Sequence, residues 1–341
     1  MKKMKQIFLL LMGIVLGSCG SSEGEDIYNE NLPTGTLRLS ENGVTVICDN
    51  CDINYIGELN GKKYVVLESI FSLVRDGEDL SNFQFESYDG GGVFTIHDNV
   101  ALCTSLITNL IGDFTDPFEI IGDISSWDVS NVTDMSYLFY ESSSTHNLSN
   151  WDVSSVENLT YTFANSSFNG FVNNWELSSL TDMSSTFYNS RLGSNVDISG
   201  WDVSNVSIMR KTFQRTYWGG NVGISDLSNW NVGNVTSMSK MFFGNQSLDL
   251  NISSWDVSSV TTMEAMFASE NVGGFPRLNN FNQDISSWDI SSLQNAKNMF
   301  YDNREFNQDL SSWNFCNVTE RTNYSYGTVS WDLPKPSLNC K

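Results

Sequence analysis

A single dodecamer constrains this chain more than any other feature. Ile124-Ser125-Ser126-Trp127-Asp128-Val129-Ser130-Asn131-Val132-Thr133-Asp134-Met135, closed by Phe139, returns in variants down the sequence. It brings tryptophan to positions 127, 151, 175, 201, 230, 255, 288 and 313. A unit of about 25 residues cannot bury its own Trp, Val, Met and Phe. Its copies must cover one another, and the expected fold is a repeat solenoid.

With each Trp as position 0, position −3 is apolar (Ile124, Leu148, Val172, Ile198 and so on), as is position +2 (Val129, Val153, Leu177, Val203). Trp at 0 and the apolar residue at +2 give the period of two expected of a strand. Position +3 is serine in six copies, placed to cap a helix, and Ser154-Ser155-Val156-Glu157 has capping-box spacing. Apolar residues at +5, +8 and +12, such as Val206, Met209 and Phe213, fall on one helical face. Each unit is expected to run as strand, cap, short helix or 3-10 turn, and return loop. The W-D-V strands would pair in parallel at about 4.8 Å, giving a stack roughly 40 Å long. Leu102, Ile107, Leu110 and Phe114 fit a degenerate first repeat. After Trp313 the frame places Arg321 and Ser325 where Met and Phe belong, so the repeats decay into a cap. The expected organisation is therefore a solenoid over 102–315 and a C-terminal cap over 316–341.

The other end reads as an export leader over 1–18. Lys2, Lys3 and Lys5 precede an apolar run, Ile7 to Leu16, that is too short to span a bilayer. Leu16-Gly17-Ser18-Cys19 then resembles the lipobox of bacterial lipoproteins, which makes Cys19 the lipid attachment site. Such an anchor places the chain on the outer membrane, facing the exterior. Residues 19–34 form a flexible tether of small and acidic residues. Residues 35–101 form a small β-rich N-terminal cap, with a strand at Gly43–Ile47, a hairpin over Tyr55–Leu67 turning at Asn60-Gly61, and a short helix from Glu68 to Val74.

The formal net charge is −22, and loss of the three leader lysines takes it to −25. Such a body repels nucleic acid and keeps an extracellular array soluble. The motif-based enzyme classes find no footing: His97 and His146 stand alone, and there is no HExxH, P-loop or GxSxG. No cofactor is implied. Position +1 is acidic in six repeats (Asp128, Asp152, Glu176, Asp202, Asp256, Asp289) and Asn231 or Asn314 in the others. This column suits either a calcium ladder or, since Asn replaces Asp, acceptors for local backbone amides.

Two spacings are stretched: Trp201 to Trp230 and Trp255 to Trp288. The extra residues carry Tyr217, Trp218, Phe275 and Arg277. Arg210, Lys211, Arg215 and Lys240 nearby make the densest basic group of the chain. Aromatics and Arg on loops concentrate binding energy, so these residues form the candidate ligand patch. The competing expectation is that the aromatics fold back over a lengthened turn.

The pattern I-S-x-W-D-V-S-x-V-x-x-M-x-x-x-F, with Phe281-Asn282-Gln283-Asp284 and Phe306-Asn307-Gln308-Asp309 leading into it, resembles the BspA-like leucine-rich-repeat surface proteins over about 100–341. That resemblance implies a leucine-rich-repeat-like parallel sheet and a surface adhesion or interaction role toward a protein or glycan partner. Surface carbohydrate capture and a structural envelope spacer are the alternatives. The resemblance also favours a Cys48–Cys103 disulfide, with Cys48–Cys51 as its rival. Cys316–Cys340 would close a 25-residue loop and staple the C-terminal cap.

Overall fold

In the computed structural model the described residues are short strands between 36 and 103, positions 108, 110, 124 and 125, and a run from 127 to 338 interrupted at 219–226, 246–249 and 273–274. All of them belong to the unit Pro33–Lys341. The leader, Cys19, the tether and the helix expected over Glu68–Val74 lie outside them.

The N-terminal part is built of ordinary strand pairs. β1 (Thr36–Leu39) and β2 (Val46–Asp49) are antiparallel. β3 (Ile56–Leu59) and β4 (Lys62–Val66) form a hairpin with Asn60-Gly61 between them, the dipeptide that tolerates the positive φ of a tight turn. β5 (Gln84–Glu86) pairs antiparallel with β6 (Val93–Thr95), and β7 (Val100–Cys103) adds in parallel to β4. Cys48 and Cys316 are both disulfide-bonded. Cys51, Cys340 and the side chain of Cys103 lie outside the described residues.

From Trp127 onward the backbone follows a different plan. Residues +8, +10, +12 and +14 of each repeat donate their N–H to carbonyls +7, +9, +11 and +13 of the next. Met135 bonds Asn158, Tyr137 bonds Thr160, Phe139 bonds Thr162 and Glu141 bonds Ala164. The four bonds recur at all seven junctions up to Trp313, between 2.7 and 3.1 Å, and all point toward the C-terminal end. A fifth row at +6 runs the other way, as in Glu157 to Thr133. The intervening N–H groups close turns within the repeat, for example Leu138 to Met135 and Tyr140 to Tyr137. The amides at +6, +8 and +10 to +14 are thereby paired.

This arrangement replaces the helix expected from the 3- and 4-residue spacing at +5, +8 and +12. Position +10 has positive φ in every repeat, and position +14 in every repeat but one. Left-handed residues stop an α-helix from propagating and bend the chain into consecutive turns. Among the described residues the repeats contain one 3-10 turn, Phe315–Asn317, and no α-helix. A non-glycine residue in this conformation costs roughly 1 kcal/mol, and the inter-repeat bonds made by its own N–H hold it there. The exception is Ser269, where the longest insertion leaves the stack.

The W-D-V segment likewise carries no strand ladder. Trp127 N–H bonds the carbonyl of Ile124, and Val132 N–H that of Val129, so the segment lies between two turns. Parallel bridging is displaced to +7: Asp134, Asn158, Asp182 and Ile208 pair in succession. The reason lies in the aspartates. Asp128 Oδ1 accepts from the amide and hydroxyl of Ser130 at 3.1 and 2.6 Å, which folds the chain into a corner. Asp152, Asp202, Asp256 and Asp289 do the same for the amide two residues on, as do Asn231 and Asn314. Equivalent corners occur at −4, as in Asp197 to Ser199, and at +7, as in Asp134 to Ser136. Up to three such corners turn a repeat; Phe171 at −4 and Ile208 at +7 are positions without one.

The core is continuous along the array. All eight tryptophans are buried, together with the apolar residues at −3, +2 and +5. The +12 phenylalanines stack face to face, Phe139 on Phe163 at 5.4 Å and Phe187 on Phe213 at 5.4 Å. Trp151 lies parallel to Trp175 at 6.4 Å, and Trp175 to Trp201 at 5.5 Å. From Trp151 to Trp288 each indole also crosses a junction: Trp151 Nε1 donates to Ile124 O at 2.9 Å, Trp201 to Val172 O at 3.0 Å and Trp255 to Leu227 O at 2.9 Å. Phenylalanine would fill the space but give up this bond, leaving the carbonyl only the backbone N–H it accepts within its own repeat, as Ile124 O does from Trp127. Trp313 is the exception, its Nε1 meeting no acceptor among the described residues.

Candidate functional site

With the core fixed, the side chains that vary most are those at +9, +10, +13 and +14, where Tyr137, Arg210 and Asn189 are exposed while Ser185, Gln214 and Ala265 are buried. Column +10 reads Tyr137, Tyr161, Ser185, Lys211, Lys240, Ala265, Asn298, Asn323, and column +14 begins Glu141, Asn165, Asn189, Arg215, Gly244. Tyr137 is 39% exposed and its ring stacks on Tyr161 at 4.9 Å. Tyr140 accepts from Asn165 Nδ2 at 2.8 Å, and burial pushes its phenol above the usual tyrosine range. Asn165 in turn accepts from Asn189 at 2.8 Å.

The expected patch divides into two groups. Arg215, Arg277 and the insertion after Phe267 come together. β10 (Glu270–Val272) and β11 (Phe275–Arg277) form an antiparallel hairpin. Arg215 makes a charge-assisted bond to Glu270, which raises the Arg215 pKa further, against the opposing effect of its own desolvation. Arg277 reaches Asn189, three repeats back, at 3.4 Å. Between these contacts the hairpin passes over Gly244, where a Cβ would meet Glu270 Cβ at 3.4 Å and Arg215 Cγ at 3.5 Å. Gly244 also has positive φ, so glycine serves both needs. Arg215 is thus committed to holding the insertion in place.

The insertion after Phe213 is held differently. β9 (Tyr217–Trp218) pairs in parallel with β8 (Arg191–Leu192), and the Arg191 guanidinium lies 4.9 Å from the centre of the Tyr217 ring, which is 45% exposed. The side chains of Trp218 and Phe275 lie outside the described residues. Arg210 and Lys211 enter no ion pair among the described residues, and Arg210 is exposed. Lys240 is 3.8 Å from Glu264.

The sequence reading did not single out Glu270, Asn189 or the tyrosines of +10 and +13. Aligning the repeats at +10 and +13 would have found the tyrosines, since Tyr137 and Tyr161 share one column and Tyr140, Tyr188, Tyr301 and Tyr326 the other. Among the described residues no three His, Cys, Asp or Glu side chains are grouped to hold a metal. The five +1 aspartates are engaged at their corners.

No curated protein and no solved structure matches the chain. A family described as Mycoplasma protein of unknown function, DUF285, matches it twice in succession, over 107–221 and 218–332. Each match takes in four of the eight tryptophan repeats. Together they span well over half of the chain, and the protein belongs to the DUF285 family.

Proposed function

We propose that this chain is a lipid-anchored cell-surface binding protein. Its repeats form a leucine-rich-repeat-like solenoid of the BspA-like kind, tethered through Cys19 and offering one extended face to a protein or matrix partner. The observation that carries this reading is the division of labour in each repeat. Backbone bonds and buried rings fix the scaffold, which leaves +9, +10, +13 and +14 free to display tyrosine, arginine and lysine in columns. Tyr and Arg on a rigid support are the residues that concentrate interface energy, and solenoids bind through such surfaces without a pocket.

Deleting the gene and restoring it on a plasmid tests the reading. Adherence to immobilised matrix is expected to fall on deletion and return on complementation. Cys19→Ala is expected to release the chain from the membrane fraction and abolish adherence with it. A deletion strain that adheres like its parent would overturn the proposal and leave an envelope spacer.

A further inference from the structure

Position +10 holds left-handed backbone in every repeat, a conformation in which asparagine and glycine are cheapest. The last two repeats follow that preference with Asn298 and Asn323. The first five do not: they carry Tyr137, Tyr161, Ser185, Lys211 and Lys240. Ser185 apart, these are large side chains kept at strained positions and at least partly exposed, which points to a use for them.

The strip has a definite chemistry. Two phenols stand at one end and two ammonium groups at the other, with the exposed Arg210 beside Lys211. Between them Ser185 is 2% exposed, so the strip dips where Tyr161 and Lys211 flank it. The one ion contact of Lys240 among the described residues is the loose one with Glu264, both side chains about one-third exposed, which leaves it available. In a chain of net charge −22, this clustering of cations is a local reversal of field. The period of the strip decides between linear anions. Successive groups are one junction apart, 4.9 Å between the Tyr137 and Tyr161 rings. An extended peptide presents same-side groups every ~6.6 Å and falls out of register within two repeats. A pyranose chain advances by close to one ring per junction.

We propose that the +10 column from Tyr137 to Lys240 is a binding strip for a linear anionic glycan, one sugar per repeat. Its carboxylates or sulfates lie on Lys211, Lys240 and Arg210, and its hydroxyls on the tyrosine phenols. The proposal rests on the surface-binding reading above and names the partner's chemistry.

Binding of the full-length chain to immobilised polygalacturonate, heparin, neutral dextran and polyglutamate tests it. Polygalacturonate or heparin is expected to bind, more weakly as salt rises, and whichever binds tells carboxylate from sulfate. The Lys211→Asn/Lys240→Asn double variant, whose new residues suit the backbone as Asn298 and Asn323 do, is expected to lose at least tenfold in affinity with unchanged melting. Should that variant melt lower, Arg210→Gln is the second probe, with a loss of about threefold expected. Lys335→Ala, at the far end, is expected to bind as the parent does. Polyglutamate bound as tightly as polygalacturonate would overturn the proposal in favour of an acidic peptide. Equal binding of dextran, no binding of any polyanion, or unchanged affinity in the lysine variants would also overturn it. If polyanions fail while adherence still depends on the gene, the glycan chemistry falls and the surface-binding reading stands.

Discussion

The two sides of each repeat are joined to their neighbours by different means. On the tryptophan side the junction is made by side chains: a stacked indole and its single N–H to a carbonyl one repeat back, as in Trp201 to Val172. On the opposite side it is made by backbone, four amide bonds per junction that need no particular residue. The difference explains why one side of the sequence repeats so faithfully and the other does not. Where side chains make the junction, identity is fixed at Trp, Val and Asp. Where the backbone makes it, Tyr137, Ser185, Lys211 and Asn298 are equivalent, and the surface is free to specialise.

The contrast can be broken most forcefully at an indole. Trp201→Ala is expected to cost about 3–5 kcal/mol in urea unfolding. Trp201→Phe keeps the ring but removes the indole bond to Val172 O, which retains the Trp175 N–H, and is expected to cost about 0.5–1.5 kcal/mol. A phenylalanine variant as stable as the parent would show that the indole N–H does not tie the repeats together.

A smaller effect is expected where the backbone side recruits a side-chain contact. In a double-mutant cycle, Arg215→Ala and Glu270→Ala are expected to couple by about 1–3 kcal/mol, and each single variant to speed proteolysis of the 270–277 hairpin. Additive effects would mean that Arg215 does not hold the hairpin down.

The smallest effects belong to the corners. Hydroxyl and amide bonds from Ser204 and Ser258 hold Asp202 and Asp256 below the usual carboxylate range, and bonds from Ser286 do so for Asp284. A lowered folded pKa means the contribution is fully present above the ordinary aspartate value, about 3.9, and is lost as pH falls through the folded value beneath it. Melting is therefore expected to stay level from pH 7 to 5 and to drop only below about pH 4. Asp202→Asn keeps the acceptor and is expected to change stability by less than about 0.5 kcal/mol while flattening that drop. Asp202→Ala is expected to cost about 1 kcal/mol. An alanine variant indistinguishable from the asparagine variant would remove the corner from the account.

Much of this was legible in the residues. The inward positions at −3, 0, +2, +5, +8 and +12 follow from periodicity, because burial dictates which side chains are apolar. The acceptor role of the +1 aspartates follows from Asn231 and Asn314 standing in for them. The path of the backbone between those points was not legible. Spacings of three and four suit a helix and a run of alternately handed turns equally well, and Tyr, Lys and Arg at left-handed positions give no warning of the turns. The candidate patch was half legible for a similar reason. Composition brought Arg210, Lys211, Arg215 and the insertions together, but the partner that binds Arg215, Glu270, is one acid among forty.

The shared direction of the four amide rows has a consequence at the last repeat. Arg321, Asn323, Ser325 and Gly327 hold the places whose N–H groups would reach a further repeat, and among the described residues they meet no acceptor. Over +8 to +14 that rim offers donors, while the opposed row at +6 presents the Thr319 carbonyl. A second rim of the same kind would set donor against donor, and an ordinary strand would match it only at alternate groups. The array thus ends on a boundary that resists the fusion to which open sheets are prone, without a proline or a bulge to guard it.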